Sequence, residues 1–347
     1  DRYIDEHDVV VYEEHSRVGI PKHCAGFIGE QIAQRIAGFT GWSVIDHSYT
    51  SLIFYTPRGI HRLFFKKPIV YHVNRPLLEE KLLDRVVSKG HSIELGNRAL
   101  PGPRLNEVRV NGDIVRARII VASDGAKSLF RRKLFNVERK YLVGIQYIYR
   151  STGLLDDEIH LLFNSLTPDF FQWLAPLDTD RVLVGFATKK YTVHPDHMVK
   201  YISRKTGVEL GSRIEVFGGL IPIDQPLRRP SIDDRVFFIG DSASIVKPYT
   251  GGGLMSISLL APILGYSIDH GRPDLYHRLY NLLKTKISIE YYATMFFRKI
   301  GYWIPPYVAS IAYKLGLLEH SDYDNHYKLL FKTLPLTPYI AFKIIYP

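Results

Sequence analysis

The sequence predicts an α/β fold in which strand–turn–helix units are interleaved with an antiparallel, strand-rich region and followed by a helical C-terminal region. Three observations carry that expectation. Apolar stretches ending in acids or Asp-Gly recur at residues 7–14, 117–125 and 236–241, each followed by a glycine-bearing turn. Between residues 141 and 217 the chain is aromatic and strand-rich, with runs at 144–149, 158–163, 170–174 and 182–186. After Leu264 the pattern becomes helical, with prolines at 305, 306, 335 and 338 as punctuation.

The 347 residues suffice for one large domain or two intergrown ones. A net charge of +10 favours anionic partners. No Cys/His spacing suits a metal and no nucleic-acid motif or basic arm is present, so a phosphate-bearing membrane surface is the expected partner and nucleic acid is not. The single cysteine, Cys24, cannot form a disulfide within this sequence and suits a reducing, cytoplasmic setting. No apolar run reaches the roughly 18 residues of a membrane-spanning helix.

Residues 7–14 read as a buried strand ending in Glu13 and Glu14. In a dinucleotide-binding unit the second strand ends in an acid that takes ribose hydroxyls, about 20 residues after a glycine-rich turn. Glu13 fits that role, with Glu14 beside it. Only six residues precede the strand, so the first strand and its G-x-G-x-x-G loop are expected to be missing from this sequence.

Pro21-Lys-His-Cys-Ala-Gly26 forms a tight loop before a helical pattern at 30–36. Residues 49–55 and 60–65 alternate as strands around Thr56-Pro-Arg-Gly59, a hairpin signal. A strand at 71–73 leads through Asn74 and Arg75 to Pro76, which suits a helix start; Gly90 ends that helix. Asn111-Gly112 marks a type I′ hairpin. Asp124-Gly125 closes the next strand, and Arg131, Arg132 and Lys133 beyond it are expected on a solvated helix face.

The most informative stretch is 235–254. A strand ends in Gly240-Asp241, a loop with Pro248 follows, and Thr250-Gly-Gly-Gly253 precedes an apolar run from Leu254. Glycines at a helix start admit a ligand to unpaired backbone N–H groups carrying partial positive charge. An acid at a strand end can accept hydrogen bonds from sugar-like hydroxyls. Together they suit a ligand with a polyol and an electron-rich ring edge.

These residues resemble the last flavin motif of the glutathione-reductase-like flavoproteins, a group that includes aromatic hydroxylases and geranylgeranyl reductases. The resemblance implies that FAD is bound, with Asp241 on the ribityl chain and Gly251, Gly252, Gly253 and Leu254 at the N1/C2 edge of the ring. Asp124 and Gly125 are similar to that family's aspartate–glycine motif. Within it, the order of motifs resembles the geranylgeranyl reductases most. Pro21-Lys-His-Cys-Ala-Gly26 is similar to their cysteine loop, and Phe171-Gln-Trp-Leu-Ala-Pro176 to the segment shaping their lipid cavity.

The resemblance implies a reductase that saturates geranylgeranyl double bonds in membrane-lipid precursors by hydride from reduced flavin N5. The implied site comprises Cys24 and Ala25 at the reacting face and Phe171, Trp173 and Pro176 on the substrate; Phe170 is a further wall candidate. Whether Cys24 donates a proton or shapes the cavity stays open, and Arg75 could touch flavin, a lipid phosphate or only a surface partner. The implied domains are a Rossmann-type cofactor domain (1–48, 76–135, 226–265), a substrate sheet domain (49–75, 136–225) and a helical region (266–347).

A prenylated lipid, a membrane surface met peripherally, and an external electron donor such as a ferredoxin or separate reductase are the implied partners. An FAD-dependent monooxygenase of an apolar substrate and a cofactor-less prenyl-lipid-binding protein are the alternatives. Two residues depart from the pattern: Ser244 stands where many relatives carry glycine, and Pro262 is expected to kink the helix after the glycines.

Overall fold

The computed structural model describes residues 8–151 and 157–336; the expectations for residue 7, for 1–6 and for 337–347 lie outside them. Within those bounds the chain is a mixed α/β structure built around a seven-stranded sheet. The strand order is Arg213–Pro222, Tyr141–Arg150, Arg181–Thr188, Gln172–Pro176, Glu158–Leu162, Ser51–Thr56, Gly59–Phe64. All neighbours are antiparallel except Glu158–Leu162 beside Ser51–Thr56.

Period-two alternation explains the two layers on this sheet. Leu174, Val184 and Phe186 point to one face, where they pack with Met198 and Ile202 of the helix Pro195–Thr206. That helix was not expected in a strand-rich stretch; Pro195 at its first turn and Gly207 in the left-handed conformation at its end are ordinary helix punctuation. Trp173, Ala175, Leu183 and Ala187 point to the other face, against Tyr302 and Ala309 of the helical region.

Two parallel pairs stand apart from the large sheet. Val10–Glu13 pairs with Ser92–Leu95, and Ile120–Ala122 with Val236–Phe238. Val10 and Val11 are exposed, which corrects the expectation of a buried strand: among the described residues this strand has a partner on one side only.

Asn111 and Gly112 both adopt positive φ in the turn between Glu107–Val110 and Asp113–Arg116, as a type I′ turn requires. Within the stretch expected to be helical after Leu264, one long helix, Pro273–Ile300, runs without a break, because no glycine or proline follows its first residue. The helix Leu254–Asp269 runs on past Pro262. No helix among the described residues is long and apolar enough to cross a membrane.

Candidate functional site

The loops at the ends of the two parallel pairs and one face of the large sheet enclose a cavity of about 2230 Å³. That exceeds the roughly 300–1,000 Å³ of most small-molecule sites. Of the site residues expected from sequence, Glu13, Glu14, Cys24, Ala25, Arg75, Asp124, Gly125, Asp241, Gly251, Gly252, Gly253, Leu254, Phe171 and Trp173 line it. Pro176 does not: it closes the buried strand Gln172–Pro176, and its carbonyl accepts the Tyr49 hydroxyl at 2.6 Å.

The strand Val236–Phe238 delivers Asp241 through a short turn, Gly240–Ala243. Its carboxylate faces the cavity and takes no hydrogen bond among the described residues; desolvation holds its carboxyl above the usual range, although Arg139 and Arg75 pull the other way. The glycine loop folds on itself, with Gly251 N donating to Lys247 O at 2.8 Å and Lys247 N to Gly252 O at 3.0 Å. A Cβ at Gly251, where φ is +73°, would come within 2.6 Å of Ile221; one at Gly253 would come within 3.2 Å of Asp241 Oδ1. Gly253 caps Leu254–Asp269 without any side-chain acceptor, so the first N–H groups of that helix remain for a ligand.

Glu13 is oriented by His15, whose backbone N and Nδ1 reach Oε1 at 2.9 and 2.6 Å. Glu14 is paired with Arg98 at 3.2 Å. Asp124 is engaged locally: Ser128 Oγ donates to it at 2.6 Å and Phe130 N at 3.1 Å, so it caps the helix Leu129–Phe135, with Gly125 at φ +73°. Of the basic cluster beyond, Arg132 and Lys133 are exposed as expected, but Arg131 is buried and points inward to the Asp241 turn. Arg131 carries the loss of solvation because it meets Ser244, the Ser242 carbonyl and the Gln225 carbonyl. Burial first, then repulsion from Arg139, lowers its pKa to about 10.

Cys24 is exposed to the cavity, with Gly26 N at 3.4 Å from its sulfur. Arg75 is its neighbour and also pairs with Glu79 at 2.5 Å. Burial pulls the guanidinium down, but the two partners more than offset this and hold it above its ordinary value, while Nε has no hydrogen-bond partner. Arg75 is therefore not a simple surface ion pair. The far wall is aromatic: Phe170 stacks on Phe171 with centroids 4.2 Å apart, and Trp173 meets Phe171 edge-on at 5.9 Å. Gly185 seats the indole, since any Cβ there would collide with its ring.

Sequence reading missed a second set of wall residues. Lys247, Asp324 and His326 all line the cavity, with Lys247 Nζ at 3.1 Å from the Tyr323 carbonyl and 3.5 Å from Asp324 Oδ1. Glu290 of the helix Pro273–Ile300 does not line the cavity but interacts with Lys247 and accepts Tyr327 N at 2.8 Å. Desolvation lowers Lys247, raises Glu290 to about 7 and lowers His326 to about 3. Lys247 sits inside the glycine motif and was legible there; residues 290, 324 and 326 carry no local signal. No group of side chains among the described residues could hold a metal ion.

No family model matches the chain. It is 26% identical to each of two proteins of Methanopyrus kandleri named digeranylgeranylglycerophospholipid reductase, over 74% of this chain and 70% and 73% of theirs. A crystal structure described as geranylgeranyl bacteriochlorophyll reductase-like, from Thermoplasma acidophilum, superposes with a TM-score of 0.71 at 17% identity, covering 91% of this chain and 83% of that one. A flavin-dependent halogenase superposes with a TM-score of 0.60 at 16% identity, over 82% of this chain and 59% of that one. The fold is therefore that of FAD-dependent oxidoreductases and monooxygenases.

Proposed function

We propose that this chain, a homologue of archaeal digeranylgeranylglycerophospholipid reductases, is an FAD-dependent enzyme that saturates double bonds of geranylgeranyl chains in membrane-lipid precursors. One observation carries the reading. A single cavity joins the acid-ended strand, Asp241 and the glycine loop at one side to the Phe171 and Trp173 wall at the other. The polar part suits a dinucleotide, and the aromatic part a prenyl chain. In this reading the described residues within 1–48, 76–135 and 226–265 form the cofactor domain, those within 49–75 and 136–225 the interleaved substrate domain, and those from 266 onward the helical C-terminal region.

The residues fit FAD on two counts. Asp241 is an enclosed carboxylate without a donor, as a polyol partner requires. Gly251 and Gly253 keep the loop as close as Cβ atoms would forbid. When bound and reduced, FAD would supply a hydride from N5 to one alkene carbon, and a proton must reach the other carbon for the bond to be saturated. The chain's own contributions follow from the geometry. Asp241 accepts hydroxyl hydrogen bonds, and Glu13 takes ribose hydroxyls. The uncapped start of Leu254–Asp269 stabilises negative charge with donors already in place. Phe170, Phe171 and Trp173 exclude water and offer ring faces to the carbon that becomes cationic. Cys24, held beside Arg75, stands at the reacting face.

The substrate is lipid-borne, so the enzyme works in the cytoplasm against a membrane surface and draws electrons from an external donor. The test uses the FAD-loaded protein, reduced chemically without oxygen and mixed with a digeranylgeranyl glycerophospholipid. Stepwise gain of hydrogen pairs in the lipid mass is the expected result. Unchanged lipid beside a bound, reducible flavin overturns it and leaves the monooxygenase reading.

A further inference from the structure

We propose that the outer face of the helix Pro273–Ile300 is the surface that docks on an anionic lipid bilayer. Five large apolar side chains are exposed on it: Leu282, Ile289, Tyr292, Phe296 and Ile300, at 60%, 38%, 62%, 56% and 51%, the Tyr292 hydroxyl accepting Gln225 Nε2 at 2.8 Å. At about 100° per residue these positions fall within an arc of roughly 80°, and at about 1.5 Å per residue they extend some 27 Å. The helix's buried residues, including Tyr276, Tyr280, Leu283 and Ile287, face the core instead. One contiguous exposed stripe differs from the scattered apolar residues normal on a protein surface.

Charge selects the occupant. Arg278 stands in the stripe and Lys286 and Lys299 at its two edges, all exposed. Lys284 reaches the Arg228 carbonyl at 3.0 Å and so places exposed Arg228 and Arg229 beside the same helix. Neither acid of the helix offsets them: Glu290 is buried and Asp274 pairs with Arg272. An apolar stripe bordered by cations suits the acyl boundary and phosphates of an anionic leaflet. A second copy of this chain suits it less, because a two-fold contact sets these cations near their own counterparts.

This inference rests on the membrane-surface part of the proposed function and not on its chemistry. The test is co-sedimentation of the purified protein with phosphatidylglycerol vesicles, with phosphatidylcholine vesicles as the comparison. Binding to the anionic vesicles, weakened by salt, is expected. Leu282→Ser, Ile289→Ser and Phe296→Ser together should reduce it on the order of tenfold or more, since these side chains supply the buried apolar area. Lys286→Gln and Lys299→Gln should each cost about fivefold, from roughly 1 kcal/mol per cation at an anionic surface. All five positions are exposed, and circular dichroism checks that the variants fold.

Three results overturn the proposal: no vesicle binding, binding that the stripe variants leave intact, or self-association that the stripe variants abolish. Prenyl reduction in detergent reads the catalytic proposal separately. Its loss with vesicle binding retained defeats the function and leaves this surface standing.

Discussion

The Ser244 hydroxyl accepts a hydrogen bond from Arg131 Nη1 at 2.6 Å while its own backbone sits in the left-handed region, at φ +52°. The same oxygen takes Arg139 Nη2 at 2.9 Å, and Arg139 in turn pairs with Asp224 at 2.6 Å and holds the Asp241 carbonyl at 3.0 Å. A position whose backbone favours glycine thus carries a serine because two buried guanidinium groups need its oxygen. Ser244→Ala keeps the strained backbone and leaves the donors unpaired, so it should destabilise by about 1–3 kcal/mol. Ser244→Gly relieves the backbone and should cost less. Denaturant unfolding midpoints of the two variants order them.

Asp241→Asn should weaken FAD binding by tenfold or more, read by quenching of flavin fluorescence. In the cofactor-free chain the same change should stabilise. The folded carboxyl titrates above its unfolded value of 3.8, so the folded state holds its proton longer. Stability from this group is therefore lost as pH rises through that window. The variant should lack this fall.

Glu290 and His326 should bend the stability profile in opposite senses. Glu290 titrates near 7 when folded against 4.5 unfolded, so its contribution is present below about pH 4.5 and lost as pH rises to about 7. His326 titrates near 3 when folded against 6.5 unfolded, so its contribution is present above about pH 6.5 and lost as pH falls towards 3. Glu290→Gln should remove the first loss and His326→Asn the second. Thermal unfolding across pH 4–8 in each variant would show it.

Cys24→Ser and Cys24→Ala separate two roles. Serine keeps an exchangeable proton and alanine does not, while both keep the loop because the side chain is exposed. If Cys24 hands a proton to substrate, alanine should lower lipid saturation on the order of a hundredfold and serine less. Equal activity of the two variants would reduce Cys24 to a shaping role. Single-turnover lipid mass measurements decide between these.

Phe171→Ala should enlarge the aromatic wall and lower lipid affinity about tenfold, the scale of one partly buried aromatic side chain. Stability should change less than for Trp173→Ala, because Phe171 is half-buried and Trp173 is 6% exposed. Lipid titration and unfolding midpoints compared in both variants test the distinction.

The sequence by itself determined the local parts. The Asn111-Gly112 turn, the Thr56 to Gly59 hairpin and the strand–Asp241–glycine–helix unit are written in turn residues, alternation and glycine positions, which act over a few neighbours. It also placed Cys24, Asp241 and Trp173 together, because each lies in a recognisable motif. The tertiary structure decided what local signals do not encode. Arg131 turned inward because two carbonyls and Ser244 wait more than 90 residues away to satisfy it. Asp324 and His326 reached the wall, and Glu290 came within electrostatic reach of Lys247, because three separate helices meet there, and a buried charge is retained only where distant partners meet it. Periodicity shows that a helix has an apolar face; only packing shows which apolar residues, such as Leu282 and Phe296, remain outside.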